Sequence, residues 1–115
     1  MTTVRMTMAQ ALVRYLIAQS IDTPTGAKPR FAGCWAIFGH GNVTGLGEAL
    51  YGVRDILPTY RAHNEQAMAL AATAFAKASL RRQAMACTTS IGPGATNMVT
   101  AAAVADVNRL PLLLL

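Results

Sequence analysis

Charge is what this sequence has least of. Only 13% of its 115 residues are Asp, Glu, Lys or Arg, while 53% are hydrophobic; soluble domains usually carry roughly a quarter charged residues. So little charge does not cover a free-standing surface, and apolar faces made to meet something else are expected. Acidic residues are the scarcer kind, five Asp plus Glu against ten Lys plus Arg, for a formal net charge of +5. The basic residues are scattered apart from the pair Arg81-Arg82, with no aromatics interleaved, which speaks against a nucleic-acid face. Cysteine is nearly absent: Cys34 and Cys87 lie in apolar stretches, offer neither metal-ligand spacing nor a disulfide framework, and read as buried thiols. No apolar run approaches a membrane span. Arg5 precedes an amphipathic segment, unlike the uninterrupted apolar core of a signal peptide. The cytoplasm is the expected compartment, with no membrane partner.

What is present reads as one small α/β domain with a modest core. Residues 7–21 predict a helix, with Ala11, Leu12, Tyr15, Leu16 and Ala18 on one stripe. Residues 22–30, holding Pro24, Gly26 and Pro29, read as a loop. Residues 34–38 are a short, continuously apolar run of the kind that forms a strand buried on both faces. A tight turn at Gly39-His40-Gly41-Asn42 follows, then a short helix over 46–51 and a second strand over 57–61. Residues 64–80 predict the longest helix, alanine-rich and open to close backbone approach. A third strand spans 84–88, a sharp loop 90–94, another alanine-rich helix 95–107, and a fourth strand begins at Leu112. Strands alternating with helices imply a parallel sheet with right-handed crossovers. The final Leu110-Pro111-Leu112-Leu113-Leu114-Leu115 has no cap, turn or polar tail, as a buried strand cut through its middle would read; a domain truncated at its C-terminus is expected.

In an open parallel sheet, ligands collect at the carboxyl ends of the strands. Three clusters fall there: Phe38-Gly39-His40-Gly41-Asn42-Val43, Arg61-Ala62-His63-Asn64-Glu65-Gln66 and Thr89-Ser90-Ile91-Gly92-Pro93-Gly94. None is a nucleotide phosphate cradle. Gly92-Pro93-Gly94 lacks the third glycine of a dinucleotide fingerprint, the Gly39–Gly45 glycines lack a following acidic residue, and no Gly-Lys-Ser/Thr is present. Ser79 and Ser90 lack a nucleophile-elbow setting. His40 and His63 have no partner at metal-ligand spacing and suit hydrogen-bonded turn histidines. Glu65 is the residue to single out. As a first-turn acid behind an Asn64 N-cap, it could simply be a helix-dipole partner. The helix it opens is almost wholly apolar, however. If its start is buried, the carboxyl pKa should rise, which suits proton exchange with a ligand.

At these clusters the sequence resembles the N-terminal pyrimidine-binding domain of thiamine-diphosphate enzymes, the family that includes acetolactate synthases and pyruvate decarboxylases. Asn64-Glu65-Gln66 opening an alanine-rich helix is similar to the segment holding the family's glutamate. Thr89-Ser90-Ile91-Gly92-Pro93-Gly94-Ala95-Thr96-Asn97 is similar to its Thr-Ser-x-Gly-Pro-Gly-Ala-x-Asn motif. Within the family, the Phe38–Val43 loop, Asn64 ahead of Glu65, and Leu80-Arg81-Arg82 resemble the trihydroxycyclohexanedione hydrolases of myo-inositol breakdown. Acetolactate synthases differ in having Phe-Gly-x-Pro-Gly-Gly at that loop and usually His ahead of the glutamate.

The resemblance implies that Glu65 hydrogen-bonds N1′ of the cofactor's aminopyrimidine and promotes loss of the thiazolium C2 proton. It implies that Gly92, Pro93, Gly94 and Asn97 wall the pyrimidine, and that His40 and Asn42 face the reacting centre, His40 as a proton donor. It further implies a cyclic 1,2-dione substrate, a homo-oligomer with shared active sites, and a separate later domain holding diphosphate and Mg²⁺ through a Gly-Asp-Gly…Asn-Asn motif that these 115 residues lack. Alone, they are expected to be inactive and to bind the cofactor weakly. The competing readings are an acetolactate-synthase-like enzyme acting on pyruvate, a non-functional fragment, and a small interaction domain.

Overall fold

The first helix is set by its start. Thr7 Oγ1 accepts from the backbone N–H of Gln10, and the Gln10 side chain accepts from the N–H of Thr7, so two amides that a helix start leaves unpaired are satisfied. In the computed structural model, which describes residues 3–115, α1 spans Met8–Ala18 and buries Val13 and Leu16. It ends short of the expected residue 21 because Ser20 and Ile21 enter a hairpin. β1 (Ser20–Thr23) and β2 (Gly26–Pro29) pair antiparallel, so the expected loop over 22–30 is largely strand, with Pro24 and Thr25 as its turn. β2 is exposed throughout and β1 buries only Ile21 and Thr23, and those in part, too little apolar pattern to mark a hairpin.

The main sheet contains β3 (Phe31–Ala36), β4 (Thr59–Arg61), β5 (Ala84–Thr88) and β6 (Leu113–Leu114), in the order β4-β3-β5-β6 with every pairing parallel. The α/β parallel-sheet expectation holds. β5 is buried at every residue, as suits a strand with neighbours on both sides and helices on both faces. β3 starts earlier than the apolar run suggested, at Phe31, with an irregularity in its pairing to β5 between Phe31 and Cys34. Backbone pairing beyond β6 continues at Leu115, whose N–H donates to Cys87 O over 2.9 Å.

Period-two alternation in the strands divides the core into two layers. On one face Cys34 and Ala86 pack with Val13 and Leu16 of α1 and with Ala49, Leu50 and Leu57. On the other, Met85 and Cys87 pack with Met68, Ala69 and Ala72 of α3 (Glu65–Ala78) and with Met98 and Ala101. The alanines let α3 and the following helix lie close to the sheet, as their small side chains predict.

Two connections shape the carboxyl edge. After β3, the turn at residues 39–42 runs into a π-helical segment, Val43–Gly47, in which Gly47 N–H donates to Asn42 O over 2.9 Å; it leads into α2 (Glu48–Tyr51). The helix expected over 46–51 thus begins earlier and in wider form. After β5, the single helix expected over 95–107 is two: α4 (Pro93–Thr96) and α5 (Val99–Val107). Thr96 Oγ1 bonds back to the carbonyls of Gly92 and Pro93, the local competition by which a hydroxyl disturbs a helix. The chain turns at Asn97 and Met98 before resuming.

Candidate active site

The carboxyl ends of β3, β4 and β5 deliver the three sequence clusters to one edge, and hydrogen bonds tie two of them together. Asn42 Oδ1 accepts from Gly39 N–H over 2.9 Å, while its Nδ2 donates to Thr88 Oγ1 at 3.2 Å and to Thr89 O at 2.9 Å. The loop after β3 is thereby fastened to the end of β5. Both amide hydrogens of Asn42 are spent inside the chain.

Glu65 is placed by α3. Asn64 is the N-cap, in extended conformation, its Oδ1 accepting from Ala67 N–H over 2.9 Å, and Glu65 follows as the first helical residue. Asn97, in the break between α4 and α5, donates Nδ2 to Glu65 Oε2 over 2.9 Å. Oε1 faces Gly94: a Cβ built on Gly94 would stand 3.0 Å from Glu65 Oε1 and 2.7 Å from Thr89 Oγ1. A side chain at position 94 would therefore crowd both Thr89 and Glu65. Gly92 is glycine for a different reason, since its φ of +73° is a conformation that L side chains rarely adopt. Pro93 occupies the first turn of α4, where its missing N–H is no loss.

One expectation is corrected here. Beside the plain helix-dipole reading, a buried helix start would raise the Glu65 pKa. Glu65 is only half-buried, and its carboxyl is held below the ordinary value of 4.5, first by the Asn97 amide and then by its own backbone N–H, against a smaller opposing effect of burial. The apolar face of α3 is covered along the sheet, but its first turn stands at the sheet's carboxyl edge. Glu65 is thus an ionised acceptor at neutral pH.

Glu65, Gly94, Asn97 and Thr89 form one cluster, and Asn42 joins its Thr89 side. His40 and His63 are exposed and stand outside that hydrogen-bonded set among the described residues. Sequence reasoning missed Thr89 as a separate feature. Its hydroxyl is buried without a hydrogen-bond partner among the described residues, and the residue is 8% exposed; the only signal was a Thr88-Thr89 pair closing an apolar strand. Also among the described residues, no group of three or more His, Cys, Asp or Glu is placed to hold a metal ion, and no helix is long and apolar enough to cross a membrane.

The sequence is similar to those of known proteins. Residues 33–115 match the family described as thiamine pyrophosphate enzyme, N-terminal TPP binding domain. Over all 115 residues the chain is 53% identical to 3D-(3,5/4)-trihydroxycyclohexane-1,2-dione hydrolase 2 of Bacillus cereus, covering 100% of this chain and 18% of that protein. It is 52% identical, with the same coverage of 100% and 18%, to the 3D-(3,5/4)-trihydroxycyclohexane-1,2-dione hydrolases of Bacillus thuringiensis (strain Al Hakam) and Bacillus anthracis. The chain thus spans under a fifth of the length of these curated relatives. By this match over residues 33–115, the chain belongs to the thiamine pyrophosphate enzymes and carries their N-terminal TPP binding domain.

Proposed function

We propose that this chain is the N-terminal, pyrimidine-binding portion of a thiamine-diphosphate-dependent hydrolase that opens the ring of trihydroxycyclohexane-1,2-dione in myo-inositol breakdown. The observation that carries the reading is the Glu65 carboxylate, held by Asn97 with Oε1 left facing Gly94, inside a chain 53% identical along its whole length to a hydrolase of that name.

Three features of the site fit the cofactor's pyrimidine. A carboxylate with one oxygen free accepts a hydrogen bond from a protonated ring nitrogen. Gly94, lacking a Cβ, lets its backbone close against that oxygen, since a Cβ there would stand 3.0 Å from Oε1 and 2.7 Å from Thr89 Oγ1, and Thr89 sets a buried hydroxyl without a partner among the described residues against the same glycine. When bound, thiamine diphosphate supplies a thiazolium carbon that becomes a nucleophile on losing its proton. Glu65 holds the proton at N1′, which its ionised state favours. Asn97 orients Glu65; Gly92, Pro93 and Gly94 form the wall, and Asn42 fixes the neighbouring loop. We assign His40, exposed at that edge, as a proton donor to the opening ring. The net reaction breaks one ring carbon–carbon bond, with water's hydroxyl completing the carboxylate and a proton going to the other carbon.

Diphosphate and Mg²⁺ are assigned to a separate domain, and the working unit to a homo-oligomer whose sites are shared between subunits. The free, buried Cys34 and Cys87 suit a reducing compartment, and we assign the protein to the cytoplasm. The 115 residues by themselves are then inactive and bind the cofactor weakly.

The test is a chimera in which this chain replaces the corresponding 115 residues of the Bacillus cereus hydrolase. The expected result is ring opening of the dione, lost with Glu65→Gln. A folded chimera that decarboxylates pyruvate instead, or turns over neither compound, overturns the reading.

A further inference from the structure

The residues of Leu80-Arg81-Arg82 have different duties. Leu80 and Arg81 both adopt left-handed backbone, at φ 54° and 63°, and turn the chain from α3 towards β5. Arg81 closes the fold: its Nε and Nη2 donate to the carbonyls of Arg109 and Asn108 at 3.2 and 3.3 Å, at the end of α5. Arg30 Nη1 donates to the carbonyls of Arg81 and Arg82 at 3.0 and 2.8 Å. These two guanidiniums are spent on carbonyls beyond helix ends, which basic side chains commonly satisfy. The Arg82 side chain has another setting. It lines a cleft of about 370 Å³ at the amino ends of β3 and β5, with Lys28 on the hairpin wall.

The walls of that cleft are fixed. Gln83 Nε2 donates to Pro29 O at 2.8 Å, and Arg30 ties the base of the β1–β2 hairpin to the turn before β5. Hydroxyls inside it are already committed: Thr23 Oγ1 donates to Gly26 O at 2.6 Å, and Ser79 Oγ to Ala76 O and Gln83 O. What remains to donate is the Lys28 ammonium, the Arg82 guanidinium and the second amide hydrogen of Gln83. None of the lining residues is acidic. The one acid of the hairpin, Asp22, is paired with Ala27, whereas Lys28 is paired with Ile21, so strand alternation puts Asp22 on the other face. Two cations sharing a cleft without an acid repel each other, and a bound anion reverses that.

We propose that this cleft binds a phosphate group, clamped between Lys28 and Arg82 with Gln83 Nε2 as a neutral donor. A phosphate is nearly doubly charged at neutral pH, which matches two cations, and guanidinium and ammonium groups are its usual protein partners. The cleft has room for more than the bare ion, since a water molecule takes about 30 Å³; its volume falls among small-molecule sites, roughly 300–1,000 Å³. The phosphate therefore comes on a small polar ester. The site stands at the opposite end of the sheet from Glu65, and its hairpin wall lies outside residues 33–115 that match the family. Its occupancy does not depend on the thiamine diphosphate reading.

The experiment is an NMR titration of the backbone amides of this chain with inorganic phosphate, with glucose 6-phosphate, and with sodium chloride at matched ionic strength. Saturable shifts are expected at Thr25, Lys28, Arg82 and Gln83 with both phosphates and not with chloride. The spare volume predicts tighter binding of the sugar phosphate; equal affinity assigns the cleft to the free ion. Arg82→Gln and Lys28→Gln should each weaken binding by at least about tenfold. Arg14→Gln, which removes the same charge from the exposed side of α1, should change it by less than about twofold. Stabilisation of the chimera by phosphate over chloride, lost with Arg82→Gln, reads the same site through its unfolding temperature. Shifts that chloride reproduces overturn the proposal, because they report ionic strength alone. So does an Arg14→Gln loss as large as that of Arg82→Gln, since net charge and not the cleft is then responsible.

Discussion

Asn97 donates its side-chain amide to Oε2 of Glu65 over 2.9 Å, joining two residues 32 positions apart. The pair exists because the chain breaks its helix at Asn97 and begins another at Glu65, both at the same edge of the sheet. A neutral donor on a carboxylate stabilises the ionised form, which is why the Glu65 acidity constant lies below 4.5. A depressed folded value means that the contribution to stability is fully present above the unfolded value and lost as pH falls through the folded one. Asn97→Ala should therefore lower stability at neutral pH and lose that disadvantage in acid, below the ordinary carboxylate range. Urea midpoints of wild type and variant, measured from pH 7 downward, should converge. Parallel curves across that range would show that the bond does not set the acidity of Glu65.

Gly94 tests the packing of the same corner. An alanine there would place its methyl carbon 2.7 Å from Thr89 Oγ1 and 3.0 Å from Glu65 Oε1. Thr89 is buried, so the strain falls on Glu65 and on the first turn of α4. Overpacking of this kind destabilises by roughly 1–3 kcal/mol. It should also displace the carboxylate, weakening thiamine diphosphate binding in the chimera by at least about tenfold, equivalent to ~1.4 kcal/mol. Calorimetric titration measures the second effect. Unchanged binding in a folded Gly94→Ala variant would mean that the cofactor does not approach this face.

The particular residues show why the fold was more legible than the site. β5 was readable to its ends, because a strand buried on both faces is a continuous apolar run between polar neighbours. The β1–β2 hairpin was not, because exposed residues such as Lys28 and Pro29 carry no burial pattern and its turn residues look like a loop. The break at Asn97 was hidden by alanines on either side, whose helix preference says nothing about where a helix pauses. Glu65 was found by its position at a helix start, but its environment was misjudged, since an apolar helix does not reveal which of its ends the sheet leaves open. Thr89 was passed over because an unpaired hydroxyl is a property of three-dimensional neighbours.

Asn42 has a structural duty as well as a proposed place in the site. Its carboxamide makes three bonds, from Gly39 N–H and to Thr88 Oγ1 and Thr89 O. Replacing it with alanine leaves those groups unpaired in a partly buried setting. The expected loss is about 1–3 kcal/mol, read as a lower urea midpoint. Asn42→Asp should not rescue it. The aspartate keeps the acceptor for Gly39 but loses both donors, and it sets a negative charge against the Thr89 carbonyl. If Asn42→Asp is as stable as wild type, the donors on the Thr88–Thr89 side contribute nothing and the loop is fastened some other way.

The two thiols give a prediction about access to the core. Cys34 and Cys87 are free and buried on opposite faces of neighbouring strands. Burial pushes both up to about 12, with Cys34 adding a smaller upward push on Cys87. The thiolate is the reactive form, and at pH 8 almost none is present in the folded chain. Ellman's reagent should therefore react with the native protein only as fast as the sheet opens, and two equivalents should appear at once in denaturant. The rate should be nearly independent of pH between 7 and 9 if opening limits it. A free thiol near its ordinary value would instead react about tenfold faster per pH unit below that value. Rapid labelling of one equivalent in the native chain would place that cysteine at the surface, and the layer of Met68, Ala72 and Met98 over Cys87 would then have to be open in solution.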